Sequence, residues 1–411
     1  MGKEKFSIKI LDAFQALSYR NFRLFWTGQL ISLIGTWMQN IGQAWLVLQL
    51  TDSAFKLGVV SALQFLPLTF FSLFAGPLVD KFSKKKIIIC TQFSFMFLAL
   101  TLATFTAYGW IKYWHILILA VLLGLTNTID IPARQSFVIE LVGKESLMNA
   151  IALNSTVFNL GRVVGPAVAG LLIGLVGMST CFYLNALSFI PAIIGLILIK
   201  IAPHVRGQKQ KDIIGQIGEG LSYIRSKQVL LFPLLLLALM STFTMNYNVL
   251  IPVYAKESLS MDALGLGLLM TSLGAGFLLG AIVLAANSRK GPGMKVLFGA
   301  ALLASVFLII LGMERHYLLS CLTLIIIGFF SLTLIALVNT TIQLNSQDSM
   351  RGRVMSVFSL VLGGVSPIGS ILAGKVADNF GAHWSISLSG VIGVLAVMIV
   401  MLAYKKSHLV K

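Results

Sequence analysis

GPLVDKFSKKK, at residues 76–86, places four lysines in a short loop between two long apolar runs. The flanking runs, residues 57–79 and 87–108, are each longer than the roughly 19 residues with which a helix crosses the hydrocarbon core of a bilayer. A loop this strongly charged must lie at the membrane surface. The two runs are therefore predicted to be consecutive transmembrane helices that meet on one side of a membrane.

The composition of the whole chain agrees with this interpretation. Of 411 residues, 57% are hydrophobic and 11% are charged, against about 45–50% and about 25% in an ordinary soluble domain. The mean hydropathy is +0.91, and the apolar residues exceed what a single core can bury. A water-soluble fold is excluded, and most of the chain is expected to face lipid.

Apolar runs of membrane-spanning length recur along the entire sequence. Backbone in lipid must satisfy its own hydrogen bonds, and these runs are too long and too uniformly apolar for barrel strands, so they are predicted to be helices. The fold class is an all-α membrane protein with twelve transmembrane spans. The predicted spans are residues 22–50, 57–79, 87–108, 114–138, 150–176, 182–201, 230–254, 264–286, 296–313, 318–340, 354–376 and 384–404.

Lysine and arginine are distributed unevenly between the two sides of the predicted bundle. One side carries Lys56, Lys112, Lys256, Arg315 and Lys375. The other side carries Lys3, Lys5, Lys9, Arg20, Arg23, Lys81, Lys84, Lys85, Lys86, Lys144, Lys200, Arg206, Lys209, Lys211, Arg225, Lys227, Arg289, Lys290, Lys295, Arg351, Arg353, Lys405, Lys406 and Lys411. By the positive-inside rule, both termini are predicted to be cytoplasmic. The net charge of +17 then reflects topology, and no nucleic-acid partner is expected.

The sequence divides into two similar halves. The long polar insertion at residues 202–228 separates a predicted N-terminal half, residues 1–201, from a C-terminal half, residues 229–411, and is predicted to be a cytoplasmic linker. Residues 138–150 match residues 341–353, about half a chain length apart. Two parallel six-helix repeats are expected to be related by an axis along the membrane normal, with a cavity between them near the midplane.

The loop at residues 76–86 resembles the signature of the major facilitator superfamily, G-x-L-x-D-[RK]-x-G-[RK]-[RK], with Ser83 at one glycine position. GRVVGPAVAG at residues 161–170 is similar to part of the antiporter motif of that superfamily. Residues 17–35 and 130–142 resemble the branch that contains the enterobactin exporter and macrolide-efflux carriers. The resemblance implies the major facilitator fold and proton-coupled export of an amphipathic small molecule, such as a siderophore or drug. It also implies a cytoplasmic gate loop made of Gly76, Asp80, Lys81, Lys84 and Lys85. Because Asp80 ends span 2 at the cytoplasmic face, it is predicted to accept hydrogen bonds from the N-terminus of span 11 and to pair with a basic group such as Arg353, as a latch between the halves.

The sequence also limits the energy source and the chemistry. No G-x-x-x-x-G-K-[ST] loop is present, so ATP is not expected to drive transport within this chain. Cys90, Cys181 and Cys321 lie in separate apolar segments and form no CxxC pair, so neither a disulfide framework nor a zinc site is expected. No enzymatic activity, metal or cofactor is predicted.

Two charged residues inside the predicted spans are candidate functional groups. Asp130 is the predicted proton-coupling site, because an ionisable side chain in the membrane is costly and usually has a function. The alternative is that Asp130 is a fixed counter-ion for Arg162 or Arg134. Arg162, near the middle of its span, is predicted either to attract an anionic group of the substrate or to form that pair.

A polar stripe on span 1 is the candidate lining of the substrate cavity. Its residues recur every three or four positions and therefore share one helix face, as do three residues of span 7. The alternative is hydrogen bonding between helices without substrate contact. The predicted cavity residues are Gln29, Ser32, Thr36, Gln39 and Gln43 of span 1, Asn127 of span 4, Arg162, and Ser241, Thr244 and Asn248 of span 7.

The sequence and the resemblance thus predict a secondary transporter of the bacterial inner (plasma) membrane that exports an amphipathic small molecule against inward proton flow. Its expected partners are the lipid bilayer, the transported molecule and protons, and the chain is expected to act as a monomer. Two alternatives stay open. One is an importer of the same fold, and the other is a membrane sensor or scaffold that does not transport.

Overall fold

A computed structural model describes residues 14–201, 213–287 and 293–409 of the chain. The predicted topology charges at Lys3, Lys5, Lys9, Arg206, Lys209, Lys211, Arg289, Lys290 and Lys411 lie outside the described residues. The helices are α1 (Arg20–Thr51), α2 (Ala54–Lys81), α3 (Lys84–Ala107), α4 (Tyr113–Val142), α5 (Leu147–Val176), α6 (Met178–Leu198), a linker helix (Ile213–Ser226), α7 (Gln228–Ser258), α8 (Ala263–Ala286), α9 (Met294–Met313), α10 (Tyr317–Asn345), α11 (Asp348–Phe380) and α12 (Ala382–Leu409). The described part of the chain contains no strand, which confirms the all-α prediction.

The helix α1 is the least apolar of the twelve spans. In the described part of the chain, 11 helices are long and apolar enough to cross a membrane, and α1 is not among them although it has 32 residues. Its glutamine side chains lower its hydropathy. Helix α1 packs against α5 and α6 inside the bundle. Counting it with the other 11 helices gives the predicted total of twelve spans.

Two pairs of helices form the largest contacts between the two halves. Helix α2 packs against α11, and α5 packs against α8. Glycines allow the backbones to approach closely at both contacts: a Cβ added to Gly274 would lie 2.6 Å from the carbonyl oxygen of Arg162, and one added to Gly374 would lie 2.5 Å from that of Ala54. Small residues of this kind permit close helix packing in membranes.

The two ends of the bundle differ in how the halves meet. We call the end where α1 begins and α2 ends the basic end, and the other the opposite end. At the opposite end Asp378 of α11 accepts hydrogen bonds from Ser53 Oγ (2.8 Å) and the backbone N–H of Phe55 (3.2 Å). There Lys256 of α7 donates to Asp52 (2.7 Å) and to a carbonyl oxygen of α1 (2.8 Å). These contacts hold the halves together at the opposite end.

Helices α7 and α11 are interrupted within the bundle, where they lie against each other. Helix α7 breaks at residues 244–246, and α11 contains a π-helical turn, Leu360–Gly364. Ser370 of α11 donates a hydrogen bond to the side-chain oxygen of Asn246 at the break (3.3 Å). Non-helical backbone at membrane depth is tolerated where protein covers it, and π turns are frequent at functional sites.

Candidate functional site

The guanidinium of Arg162 lies in a cage of three aromatic rings. It is 4.0 Å from the ring centroid of Phe277, 5.0 Å from that of Trp37 and 5.1 Å from that of Phe158. Phe158 lies one helical turn before Arg162 on α5, Trp37 comes from α1 and Phe277 from α8. Each ring face attracts the cation through its quadrupole. The cage therefore joins the two halves of the protein midway along their helices.

Arg162 has no acidic partner in the described part of the chain. Neither an ion pair nor a hydrogen bond of its guanidinium is present there, and the three rings offer only their faces. A guanidinium carries five N–H donors arranged to bind a carboxylate or a phosphate. A charge buried without such a partner is costly, so this arrangement can bind an anionic group that enters from outside the protein.

Asp130 lies in a different environment, at the contact between α4 and α3. It is buried at 4% exposure and forms an ion pair with Arg134, one turn further along α4. Thr91 of α3 donates a hydrogen bond to the same carboxylate, and Gln92 of α3 contacts it at 3.4 Å. Of the two pairings that the sequence left open for Asp130, the structure contains the one with Arg134.

The polar stripe of α1 is divided among several environments. Gln39 accepts a hydrogen bond from Asn185 of α6 (2.6 Å), so it joins two helices. Ser32 and Thr36 donate to carbonyl groups of α1 itself. Gln29 is different, since its Oε1 atom is buried without a hydrogen-bond partner.

The two stripes meet at Gln43 and Asn248, which line one small polar cleft between the halves. The cleft has a volume of about 30 Å³, enough for one or two water molecules. Its lining residues are Asn40, Gln43, Ala44, Leu57, Val60, Ser61, Gln64 and Asn248. Ser241 and Thr244 are buried on α7, and Thr244 donates to the carbonyl oxygen of Met240 of its own helix. Only Asn248 of the α7 stripe borders this cleft.

Asn127 of α4 is half-buried, and it lies on the stretch of α4 that precedes Asp130. No hydrogen bond of its side chain is present in the described part of the chain. The structure thus places Asn127 outside the hydrogen-bonded cluster around Asp130.

The predicted gate loop lies at the basic end, where α2 ends at Lys81 and α3 begins at Lys84. A Cβ added to Gly76 would meet no atom within 4 Å, and the side chain of Asp80 lies outside the described atoms. Lys84 pairs with Glu140 of α4, and Lys85 donates to the carbonyl oxygens of residues 197 and 199 at the end of α6 (3.1 and 2.7 Å).

Arg353, the predicted basic partner of the gate loop, is engaged elsewhere in this structure. It pairs with Glu219 of the linker helix and packs on Gly220 of the same helix. This contact fixes the linker helix to the start of α11 at the basic end.

Sequence reasoning missed the aromatic cage. The spacing of Phe158 and Arg162, one turn apart on the same face of α5, is a signal that could have found one wall. Trp37 directly follows Thr36 in the polar stripe, but nothing in its position indicates a contact with α5. Phe277 belongs to the other half of the chain, and only the packing of α5 against α8 brings it to Arg162.

Comparison with known proteins identifies relatives along nearly the whole chain. A transporter of staphyloferrin A from Staphylococcus aureus is 27% identical over 402 residues, covering 94% of this chain and 97% of the relative. The multidrug efflux pump Tap of Mycolicibacterium fortuitum is 28% identical, covering 82% and 85%. Macrolide efflux protein A of Streptococcus pyogenes is 25% identical, covering 93% and 96%.

Solved structures share the fold. A bacterial homologue of the human lysosomal transporter Spinster, in an inward-facing and unoccupied conformation, matches with a TM-score of 0.77 and 13% identity, covering 94% of this chain and 97% of that one. The nucleoside transporter NupG matches with a TM-score of 0.74 and 14% identity, covering 95% and 99%. These likenesses concern the fold alone.

The family model for transmembrane secretion effectors matches residues 11–409. The resemblance seen in the gate loop and in span 5 is thereby confirmed over nearly the whole chain. The chain belongs to the transmembrane secretion effector family of the major facilitator superfamily, and it is a multi-pass membrane transporter rather than an enzyme.

Proposed function

We propose that this transporter exports an amphipathic small molecule with an anionic group, in exchange for protons, across a bacterial inner membrane. The proposal rests on the aromatic cage around Arg162. The guanidinium is buried, has no acidic partner in the described part of the chain, and is enclosed by rings from both halves. Aromatic rings suit the apolar part of such a substrate, and the guanidinium suits its anionic group. Three relatives are named as a staphyloferrin A transporter, a multidrug efflux pump and a macrolide efflux protein, which agrees with a substrate of this kind.

Alternating access would work by moving the two halves around this cage. With both termini in the cytoplasm, the opposite end faces outward, and the contacts of Asp378 and Lys256 keep that end closed. A substrate would then enter from the basic end and reach Arg162. Because Phe277 belongs to the second half and Arg162 to the first, any relative motion of the halves changes the cage and thus its affinity for substrate.

Asp130 is the proposed proton-coupling group in this cycle. Its carboxylate is held by Arg134 and two residues of α3, so uptake of a proton would weaken those contacts and change the packing of α3 against α4. A fixed counter-ion of Arg134 is the alternative role. The two roles differ in the effect that loss of the carboxylate has on export and on stability.

Direction and energy source are tested in inverted membrane vesicles. Vesicles that contain this protein should accumulate substrate when their lumen is acidified, and a protonophore should abolish the accumulation. Uptake that persists after the proton gradient collapses, without any dependence on sodium, would contradict proton coupling. Accumulation in right-side-out vesicles instead would indicate an importer, and no movement with any tested substrate in either orientation would favour a sensor or scaffold.

A further inference from the structure

A second cavity lies outside the substrate path, at the basic end. It is a groove of about 590 Å³ between α3, α4 and the loop that joins α2 to α3. Apolar side chains and the hydroxyl groups of four residues form its walls, and two lysines form its rim. The lining residues are Lys81, Phe82, Ser83, Lys86, Ile87, Cys90, Thr91, Ser94, Leu125, Thr126 and Ile129.

The groove opens toward lipid. Large apolar side chains on the same outer faces of α3 and α4 are exposed, with Phe93 at 48%, Phe97 at 68% and Leu122 at 42%. In a membrane-spanning helix such exposed apolar faces contact hydrocarbon. The groove therefore continues the lipid-facing surface of the protein up to the level of the basic end, where lipid headgroups lie.

The rim of the groove carries two lysines without partners. In the described part of the chain, Lys81 and Lys86 form neither an ion pair nor a hydrogen bond, and both are exposed. Their neighbours Lys84 and Lys85 do have partners, namely Glu140 and carbonyl oxygens at the end of α6. The two cations left over are the two that border the groove.

We propose that this groove binds one anionic phospholipid. Lys81 and Lys86 hold the phosphate of the headgroup, Ser83 can donate a hydrogen bond to it, and an acyl chain lies along Ile87 and Leu125. The charge of the rim complements an anionic headgroup, and basic pockets between transmembrane helices are typical sites for such lipids.

The site has a consequence for transport because one residue belongs to both the groove and the cluster around Asp130. Thr91 lines the groove and donates a hydrogen bond to the Asp130 carboxylate. An acyl chain packed against Thr91 would keep its hydroxyl group turned toward Asp130. This consequence depends on the proposed proton-coupling role of Asp130, whereas lipid binding itself does not.

Native mass spectrometry of the purified full-length protein tests the binding directly, with phosphatidylglycerol and phosphatidylcholine of the same acyl chains as probes. We expect preferential retention of phosphatidylglycerol. The double variant Lys81→Gln with Lys86→Gln should bind it about 30-fold more weakly, which corresponds to about 1 kcal/mol for each lysine near an anionic headgroup. The matched control is Lys405→Gln with Lys406→Gln, which removes the same charge from exposed positions at the basic end of α12 and should bind as the parent does.

Three results would overturn the proposal. They are equal affinity for the two lipids in the parent protein, equal loss of binding in the control variant, and displacement of the lipid by millimolar inorganic phosphate, which would indicate a site for free phosphate. A further variant, Cys90→Trp, keeps both lysines and fills the groove. Its expected loss of lipid binding with normal thermal stability separates the groove from a diffuse basic surface, and unchanged binding in Cys90→Trp would also contradict the site.

Discussion

At the scale of single residues, two buried charges have opposite situations. Arg162 is surrounded by ring faces and has no acid beside it in the described part of the chain, whereas Asp130 has an arginine and two polar side chains of α3. An unpaired buried cation is available for a ligand, while a paired carboxylate must first lose its partner or take up a proton. The two residues are therefore suited to different steps of transport.

Replacement of Arg162 tests the anion site. Arg162→Gln should weaken binding of an anionic compound by roughly 30-fold, about 2 kcal/mol, because a charge-assisted hydrogen bond is lost. A neutral analogue of the same compound should bind with little change. Arg162→Lys, which keeps the charge and loses the planar fork, should give an intermediate affinity. Isothermal titration of the detergent-solubilised variants measures this, and equal losses for both compounds would indicate a merely structural arginine.

Replacement of Asp130 separates proton coupling from ion pairing. Asp130→Asn should end uphill export and leave substrate exchange across the membrane intact, because exchange needs no net proton movement. If Asp130 only balances Arg134, the single change should instead lower stability by about 3–5 kcal/mol. The double variant Asp130→Asn with Arg134→Gln would then recover both stability and proton-driven export, which would contradict the coupling role.

The sequence allowed both charged residues to be found and offered Arg134 as one possible partner of Asp130, but it did not indicate the aromatic rings around Arg162. A charged residue within an apolar span is easily recognised in a sequence. Asp130 and Arg134 are four residues apart, so their side chains are predicted to lie on the same helix face within reach of each other. The three aromatic rings around Arg162 could not be predicted from the sequence, because they come from three helices in two halves. The environments of the stripe residues could not be predicted for the same reason. Gln39 bonds to Asn185 of α6, whereas Gln43 lines the small cleft between the halves.

At the scale of helices, the contacts that close the opposite end lie at helix termini. Asp378 binds the N-terminus of α2, where the helix dipole is positive, and Lys256 binds the C-terminus of α1, where it is negative. Asp378→Asn with Lys256→Gln should therefore open this end more often. Spin labels at Lys56→Cys and Lys375→Cys in a cysteine-free background should report a longer distance than in the parent. An unchanged distance distribution would contradict this role, and Lys112→Gln serves as a control at the same end.

One contact of this closure whose pH response can be derived is the ion pair of Lys256 with Asp52. A hydrogen bond from Lys256, together with the charge of Lys256, lowers the pKa of Asp52 below its usual 3.8. A lowered pKa gives stability that is present above the unfolded value and lost as the pH falls through the folded one. The spin-label distance at the opposite end should therefore be constant between about pH 5 and 8. A transition in that interval would mean that another group controls the closure.

The gate loop is expected to hold the two halves together at the basic end, in the conformation in which that end is closed. Asp80 stays a predicted latch to the start of α11, and Arg353, its predicted partner, pairs here with Glu219. Asp80→Asn should slow transport without weakening substrate affinity, which stopped-flow transport and equilibrium binding together would measure. Equal transport rates in variant and parent would reject the latch, and poor expression would indicate a structural role.

At the scale of the molecule, the fold could be predicted from the sequence because membrane-spanning helices follow simple rules of length and hydropathy. The span that obeys them least is α1, whose polar stripe includes Gln39, which accepts a hydrogen bond from α6. Which end of the bundle is held closed could not be predicted from the sequence. It depends on contacts between distant parts of the chain, such as that of Asp378 with the start of α2. The division into residues 1–201, 202–228 and 229–411 stays a prediction.

The most direct test of the account is transport by purified protein in liposomes with an imposed pH gradient. Matched pairs of amphipathic compounds, one anionic and one neutral, should be offered to the parent and to Arg162→Gln. We expect proton-driven movement of the anionic compound by the parent and its loss in the variant. Movement of the anionic compound at the same rate by both proteins, or by the parent without a gradient to the same uphill extent, would contradict it.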